Sequence, residues 1–119
     1  MNMVRGTFAD FAEFYARHRG RLPVSLEQAA QALRGWSVWR LDDDRPVAVF
    51  LVKDGQGHVS GYKTERVGVR RIRWGMEKLG ITKTAVDKDF APGHALARRL
   101  GFAVDHTEGR VTHYARISH

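Results

Sequence analysis

The sequence predicts an α+β sandwich: a mixed, mostly antiparallel sheet with helices on both faces. Three observations lead there. Apolar residues recur at helical spacing early in the chain, then at strand spacing over three consecutive runs, and the two periods alternate to the end. One of those runs, Val47-Ala48-Val49-Phe50-Leu51-Val52, is apolar on both alternations, as expected for a strand covered on both faces. A helical segment between two strand segments implies a right-handed crossover, and therefore one parallel pair among hairpins. The 119 residues suffice for one core. No repeat, low-complexity stretch or linker divides them, so a single domain over residues 1–119 is expected.

Residues 3–7 suit a short first strand. Phe8, Phe11, Ala12 and Tyr15 then recur at i, i+3, i+4, i+7, with Phe14 widening the apolar face. Gly20 and Pro23 end this helix. Ser25 and Gln28 have capping-box spacing and open a second one, whose buried stripe is Leu26, Ala29, Ala30 and Leu33 and whose stop is Gly35. From Trp36 the period becomes two. Strands at Trp36–Leu41 and Pro46–Lys53 flank the acidic turn Asp42-Asp43-Asp44, and Asp54-Gly55-Gln56-Gly57 leads into a third strand, His58–Tyr62.

A helical pattern returns from Glu65 to Leu79, with Val69, Ile72, Met76 and Leu79 on one face and Gly80 at its end. A short strand follows at Thr82–Asp87. Pro92 suits the first turn of a last helix reaching Leu100, which Gly101 terminates. Phe102–His106 and Arg110–Ile117 close the chain as a hairpin around Glu108-Gly109. The order is (β)ααβββαβαββ.

Composition narrows the chemistry. The chain is 43% hydrophobic and 28% charged, which excludes a disordered polyelectrolyte. Without cysteine it has neither disulfides nor thiol nucleophiles. The longest apolar run is far too short for a bilayer, and no apolar stretch follows Arg5, so neither a membrane span nor a secretory signal is expected. A cytoplasmic location follows. The net charge of +7 favours anionic partners. It concentrates in one place: Lys63, Arg66, Arg70, Arg71 and Arg73 surround a single acid, Glu65.

The element order and the junction Ala95-Leu96-Ala97-Arg98-Arg99-Leu100-Gly101-Phe102 resemble the GCN5-related N-acetyltransferase (GNAT) family, whose late helix reads Ala-x-x-Leu-Tyr-x-x-Leu-Gly-Phe. The stretch from Asp89 to Phe102 is also similar to small acyltransferase-like proteins of short-tailed phages. The resemblance implies an acyl-coenzyme A co-substrate, acetyl-CoA or another acyl-CoA, held where two parallel strands splay. Its pyrophosphate would rest on the amides that open the next helix. The family's loop, Gln/Arg-x-x-Gly-x-Gly/Ala, corresponds to Glu65-Arg66-Val67-Gly68-Val69-Arg70. Gly68 matches the middle glycine, Glu65 replaces the leading residue, and Arg70 stands where a small residue is usual. Arg66, Gly68, Val69, Arg70 and Arg71 are the cofactor-binding candidates that this implies.

The family's tyrosine falls on Ala97 and the polar residue that often precedes its helix falls near Phe90, so both are replaced. Proton delivery to the leaving thiolate then needs another donor. His94 and Tyr62 are the catalytic candidates, His94 because its ordinary pKa is near neutrality and Tyr62 because it ends the strand entering the presumed wedge. Glu65 and Asp87 are carboxylates near the relevant strand ends. No metal is expected. A turn at Glu108-Gly109 pairs His106 with Val111 and His113 with Val104, leaving the two histidines diagonal and without a third ligand.

Two readings stand together. One is an N-acyltransferase passing an acyl group from acyl-CoA to an amine acceptor. The other is a catalytically silent member of the fold serving as a structural or interaction protein, a virion component if phage-encoded, with other virion proteins or its own copies as partners. Nucleic-acid binding through the basic helix ranks third. Trp74 stands beside that helix's cations, whereas Trp36 and Trp39 fall on opposite faces of one strand.

Overall fold

The computed structural model describes residues 1–18, 25–63 and 65–116. Its elements are β1 (Asn2–Arg5), α1 (Phe8–His18), α2 (Leu26–Ala32), β2 (Ser37–Asp42), β3 (Pro46–Lys53), β4 (Gln56–Gly61), α3 (Val69–Lys78), β5 (Lys83–Asp87), α4 (Ala91–Arg99), β6 (Phe102–Glu108) and β7 (Val111–Arg116). This is the order the sequence predicts. The strands form one sheet in the order β1-β2-β3-β4-β5-β7-β6, mostly antiparallel. The expected helix stop at Gly20 and Pro23 and the end of the last strand at Ile117 lie outside the described residues. Among those described, no helix is long and apolar enough to cross a membrane.

Contacts divide the chain into two compact units, the first being Met1–Lys53 with Val59–Val67. Here β1 pairs with β2 and β2 with β3, both antiparallel, with Trp39 opposite Phe50. The β2–β3 turn closes as the Asp43 N–H donates to the Arg45 carbonyl, with Asp44 at φ +65°. Buried on both faces, Val47 to Leu51 meets the expectation from its unbroken apolar run. Phe11 and Phe14 of α1 and Ala29 of α2 pack on Val49 and Leu51, and Trp36 lies against the same cluster. Burying each large apolar side chain contributes roughly 1.5–3 kcal/mol. Phe8, expected on the apolar face, is 60% exposed instead. It is the first residue of the helix, one turn short of the buried cluster.

Both helix starts are capped. At α2 the Ser25 hydroxyl accepts from the Gln28 N–H, and the Gln28 side chain accepts from the Ser25 N–H. At α1 the Asp10 carboxylate accepts from the Thr7 N–H at 2.8 Å, and the Asp10 N–H donates to the Thr7 hydroxyl. That box escaped the sequence reading, although Thr7-x-x-Asp10 has its spacing. It leaves Asp10 only 1% exposed, facing the Arg40 guanidinium at 3.7 Å.

The second unit is Asp54–His58 with Gly68–His119. Asp54 and Gly55 both take positive φ, +50° and +81°, so these two residues complete the turn alone. Strand β4 consequently begins at Gln56, two residues ahead of the expected His58. It pairs in parallel with β5 at Gln56↔Lys83, which bears out the crossover argument. The Gly55 carbonyl anchors that pair, accepting from the Thr82 and Lys83 amides. A side chain at Gly57 would run into Ile81, which is fully buried. Strand β7 pairs antiparallel with both β5 and β6.

Two expectations need correction here. Helix α3 starts at Val69, not Glu65, because Gly68 at φ +83° and ψ 151° is not helical. The β6–β7 turn lies at Gly109-Arg110, one residue later than expected, with Gly109 at φ +57°. Glu108 therefore pairs with Val111 and His106 with His113, and a bulge between Val104 and His106 sets Val104 opposite Tyr114.

Candidate functional site

Four of the five cofactor-binding candidates gather at the mouth of α3. Gly68 is its N-cap residue, and no side chain among the described residues caps the helix. Its positive φ is open to glycine at little cost and strained for other residues. A Cβ built there would meet no heavy atom within 4 Å among the described residues, so the backbone is approachable from that side. The Gly68 carbonyl accepts the first helical hydrogen bond, from the Ile72 N–H. The amides of Val69 and Arg70 then occupy the first turn, the place where an α-helix has N–H groups without intrahelical partners and partial positive charge.

The local cations divide by their engagements. Arg73 donates to the Arg99 carbonyl at 2.9 Å, closing the end of α4. Lys63 lies over the Tyr62 ring, and Lys78 covers Trp74. Arg66 and Arg70 are exposed and carry no ion pair or side-chain hydrogen bond among the described residues. Arg71 is half-buried and Val69 also. Glu65 is held by Arg45 in a two-pronged ion pair, which takes up its charge as a surface contact. Asp87 accepts from the Asp89 N–H.

Tyr62 belongs to the first unit. It follows Gly61 at the end of β4, packs against the Phe11–Phe14 cluster and bonds to Asp10. Burial, with the charges of Asp10 and Glu13, pushes its hydroxyl above the ordinary tyrosine value, while Arg40 pulls the other way. Gly61 permits this turn because a Cβ there would collide with the Glu65 carbonyl oxygen.

His94 belongs to the second unit and is fully engaged. Its Nε2 lies 2.9 Å from the Asp87 carbonyl oxygen and 3.1 Å from that of Lys88, so Nε2 carries the proton and donates. Nδ1 accepts from the Tyr114 hydroxyl at 2.6 Å. Ala97, where the resemblance would put a tyrosine, is buried in α4. The candidate residues thus form three local groups: the α3 mouth, Tyr62 with Asp10 and Arg40, and His94 with Tyr114.

No family model matches the chain. Solved structures do. Spermidine N-acetyltransferase SpeG from Vibrio cholerae, as a point mutant, aligns over 98% of this chain and 95% of its own at TM-score 0.65 and 9% identity. Ribosomal-protein-alanine N-acetyltransferase from Brucella melitensis aligns over 99% and 100% at 0.57 and 14%. The Campylobacter jejuni N-acetyltransferase PseH, in complex with acetyl coenzyme A, aligns over 95% and 96% at 0.54 and 13%. The fold is that of the GNAT-type N-acetyltransferases.

Proposed function

We propose that this chain binds acyl-coenzyme A at the mouth of α3 and acts as an N-acyltransferase toward an amine. The observation that carries the reading is Gly68. It is a non-helical N-cap at positive φ, with no capping side chain and open space beside it among the described residues. Such a position offers backbone amides to a diphosphate, and a structure of this fold, PseH, is described with acetyl coenzyme A.

The residues present fit the group. The Val69 and Arg70 amides would donate to phosphate oxygens. The Arg70 guanidinium group would add a charge-assisted bond at the rim, where the family that the sequence resembles has a small residue. Bound acyl-CoA supplies an activated carbonyl for attack by the amine. His94 acts as a positioning residue: its bonds to the Asp87 and Lys88 carbonyls tie α4 to the end of β5. Tyr62, in the first unit, keeps its proton through the physiological range. The setting is cytoplasmic.

A second reading, a silent scaffold of the same fold, draws support from Ala97, which places a buried methyl where the family's hydroxyl is expected. As a phage protein it would assemble with virion partners. Acetyl-CoA titration separates the two. Micromolar binding that Arg70→Glu weakens at least tenfold supports the enzyme. Absence of thermal stabilisation at millimolar acetyl-CoA leaves the scaffold.

A further inference from the structure

The register of the terminal hairpin assembles a group of side chains that the acyltransferase reading does not use. His106 faces His113 across β6 and β7, and their imidazoles stack at 4.3 Å between centroids and 10° between planes. Glu108 stands two residues beyond His106, on the same face of the strand by the two-residue period. Its Oε2 is 3.5 Å from His113 Nε2. One nitrogen from each histidine and one Glu108 oxygen lie within 4.8 Å of one another.

A second feature points to a ligand. The bulge that puts the two histidines opposite each other also brings the Asp105 carboxylate to 2.6 Å from His106 Nδ1. The carboxylate accepts the Nδ1–H, which leaves Nε2 carrying the lone pair. This carboxylate–histidine arrangement is the one that fixes tautomer and ring orientation at metal centres.

We infer that His106, His113 and Glu108 form a divalent-cation site, suited to Zn²⁺, with Asp105 as the positioning residue behind His106. Two neutral imidazoles and a carboxylate are the ligands of open, four-coordinate zinc sites, the fourth position being taken by water. Tetrahedral bonds of about 2.0–2.2 Å need donor atoms roughly 3.3 Å apart. Rotation of the exposed Glu108 side chain, with a tilt of the His106 ring about its Asp105 bond, closes the remaining distance. The two carboxylates, Asp105 and Glu108, balance the ion's charge on a chain that is otherwise basic. Bound there, the ion clips the two arms of the hairpin together beside the outer sheet strand, and it stabilises the fold by mass action. Ni²⁺ and Cu²⁺ suit the same nitrogen-rich donors.

The test uses the untagged full chain, stripped of metal and titrated with Zn²⁺ alone by calorimetry, with the Co²⁺ visible spectrum as a report of tetrahedral geometry. One equivalent should bind with micromolar affinity. His106→Ala and His113→Ala should each weaken it at least tenfold, with melting temperatures of the metal-free variants unchanged. Asp105→Ala should weaken it about tenfold, and Asp105→Asn, which can still accept the Nδ1–H, should restore part of the loss. Binding to the double variant His106→Ala/His113→Ala within threefold of the parent would overturn the site, as would no binding at millimolar Zn²⁺.

Discussion

The hydroxyl of Tyr114 donates to Nδ1 of His94 across 2.6 Å, joining α4 to the strand between β5 and β6. Tyr114 is 2% exposed, and no buried side-chain polar atom among the described residues lacks a partner. The histidine is therefore the reason that a phenol can be buried here. Replacing His94 by Ala strands that hydroxyl and also removes the donor to two backbone carbonyls. The expected loss is about 1–3 kcal/mol, read as a lower denaturation midpoint at unchanged slope. Tyr114→Phe should cost less, and the double variant less than the sum, because both single changes remove the same bond.

Gly68 is expected to separate stability from binding. Its positive φ with extended ψ makes Gly68→Ala cost about 1–3 kcal/mol through backbone strain, although the new methyl has open space around it. Coenzyme affinity should fall further than the stability change explains, since the cap geometry aims the helix amides. Equal affinity in Gly68→Ala and the parent would remove the cradle from the account.

The alkaline titration of tyrosines tests the pocket around Tyr62. Burial first, and then Asp10, hold its pKa above the ordinary value near 10. A raised pKa means that the folded state binds its proton more tightly than the unfolded one. The contribution is thus complete below about pH 10 and is lost as pH rises through the folded value. Tyr62→Phe should flatten the fall in stability at alkaline pH. Asp10→Asn should lower the Tyr62 titration only in part, because burial is the larger cause.

The guanidinium rim gives a salt signature. Arg70→Glu should reduce acetyl-CoA affinity at least tenfold at low salt. The difference from the parent should shrink as ionic strength rises, since the side chain is exposed. Affinity that ignores both salt and the substitution would place the coenzyme elsewhere.

The element order was legible because periodicity reports burial directly: β3 is apolar on both alternations and is covered on both faces. The Ser25–Gln28 cap was legible for a similar reason, since two side chains at fixed spacing satisfy each other. What escaped depended on single backbone angles. Gly68 has no side chain to mark whether it begins a helix or precedes one, and its positive φ moved the start of α3 by four residues. Asp54-Gly55 closed a turn in two residues and lengthened β4. A turn displaced by one residue, with a bulge at Asp105, converted diagonal histidines into a facing pair. The engagement of His94 was hidden as well, because its partner Tyr114 lies twenty residues away on another strand.

The most direct measurement is an amide-resolved NMR titration of the chain with coenzyme A. The largest shifts should fall on the Val69 and Arg70 N–H groups, saturating with one equivalent and disappearing in Arg70→Glu. Undisturbed resonances at those two amides under millimolar coenzyme A, or perturbations confined to other segments, would contradict the seat at the mouth of α3.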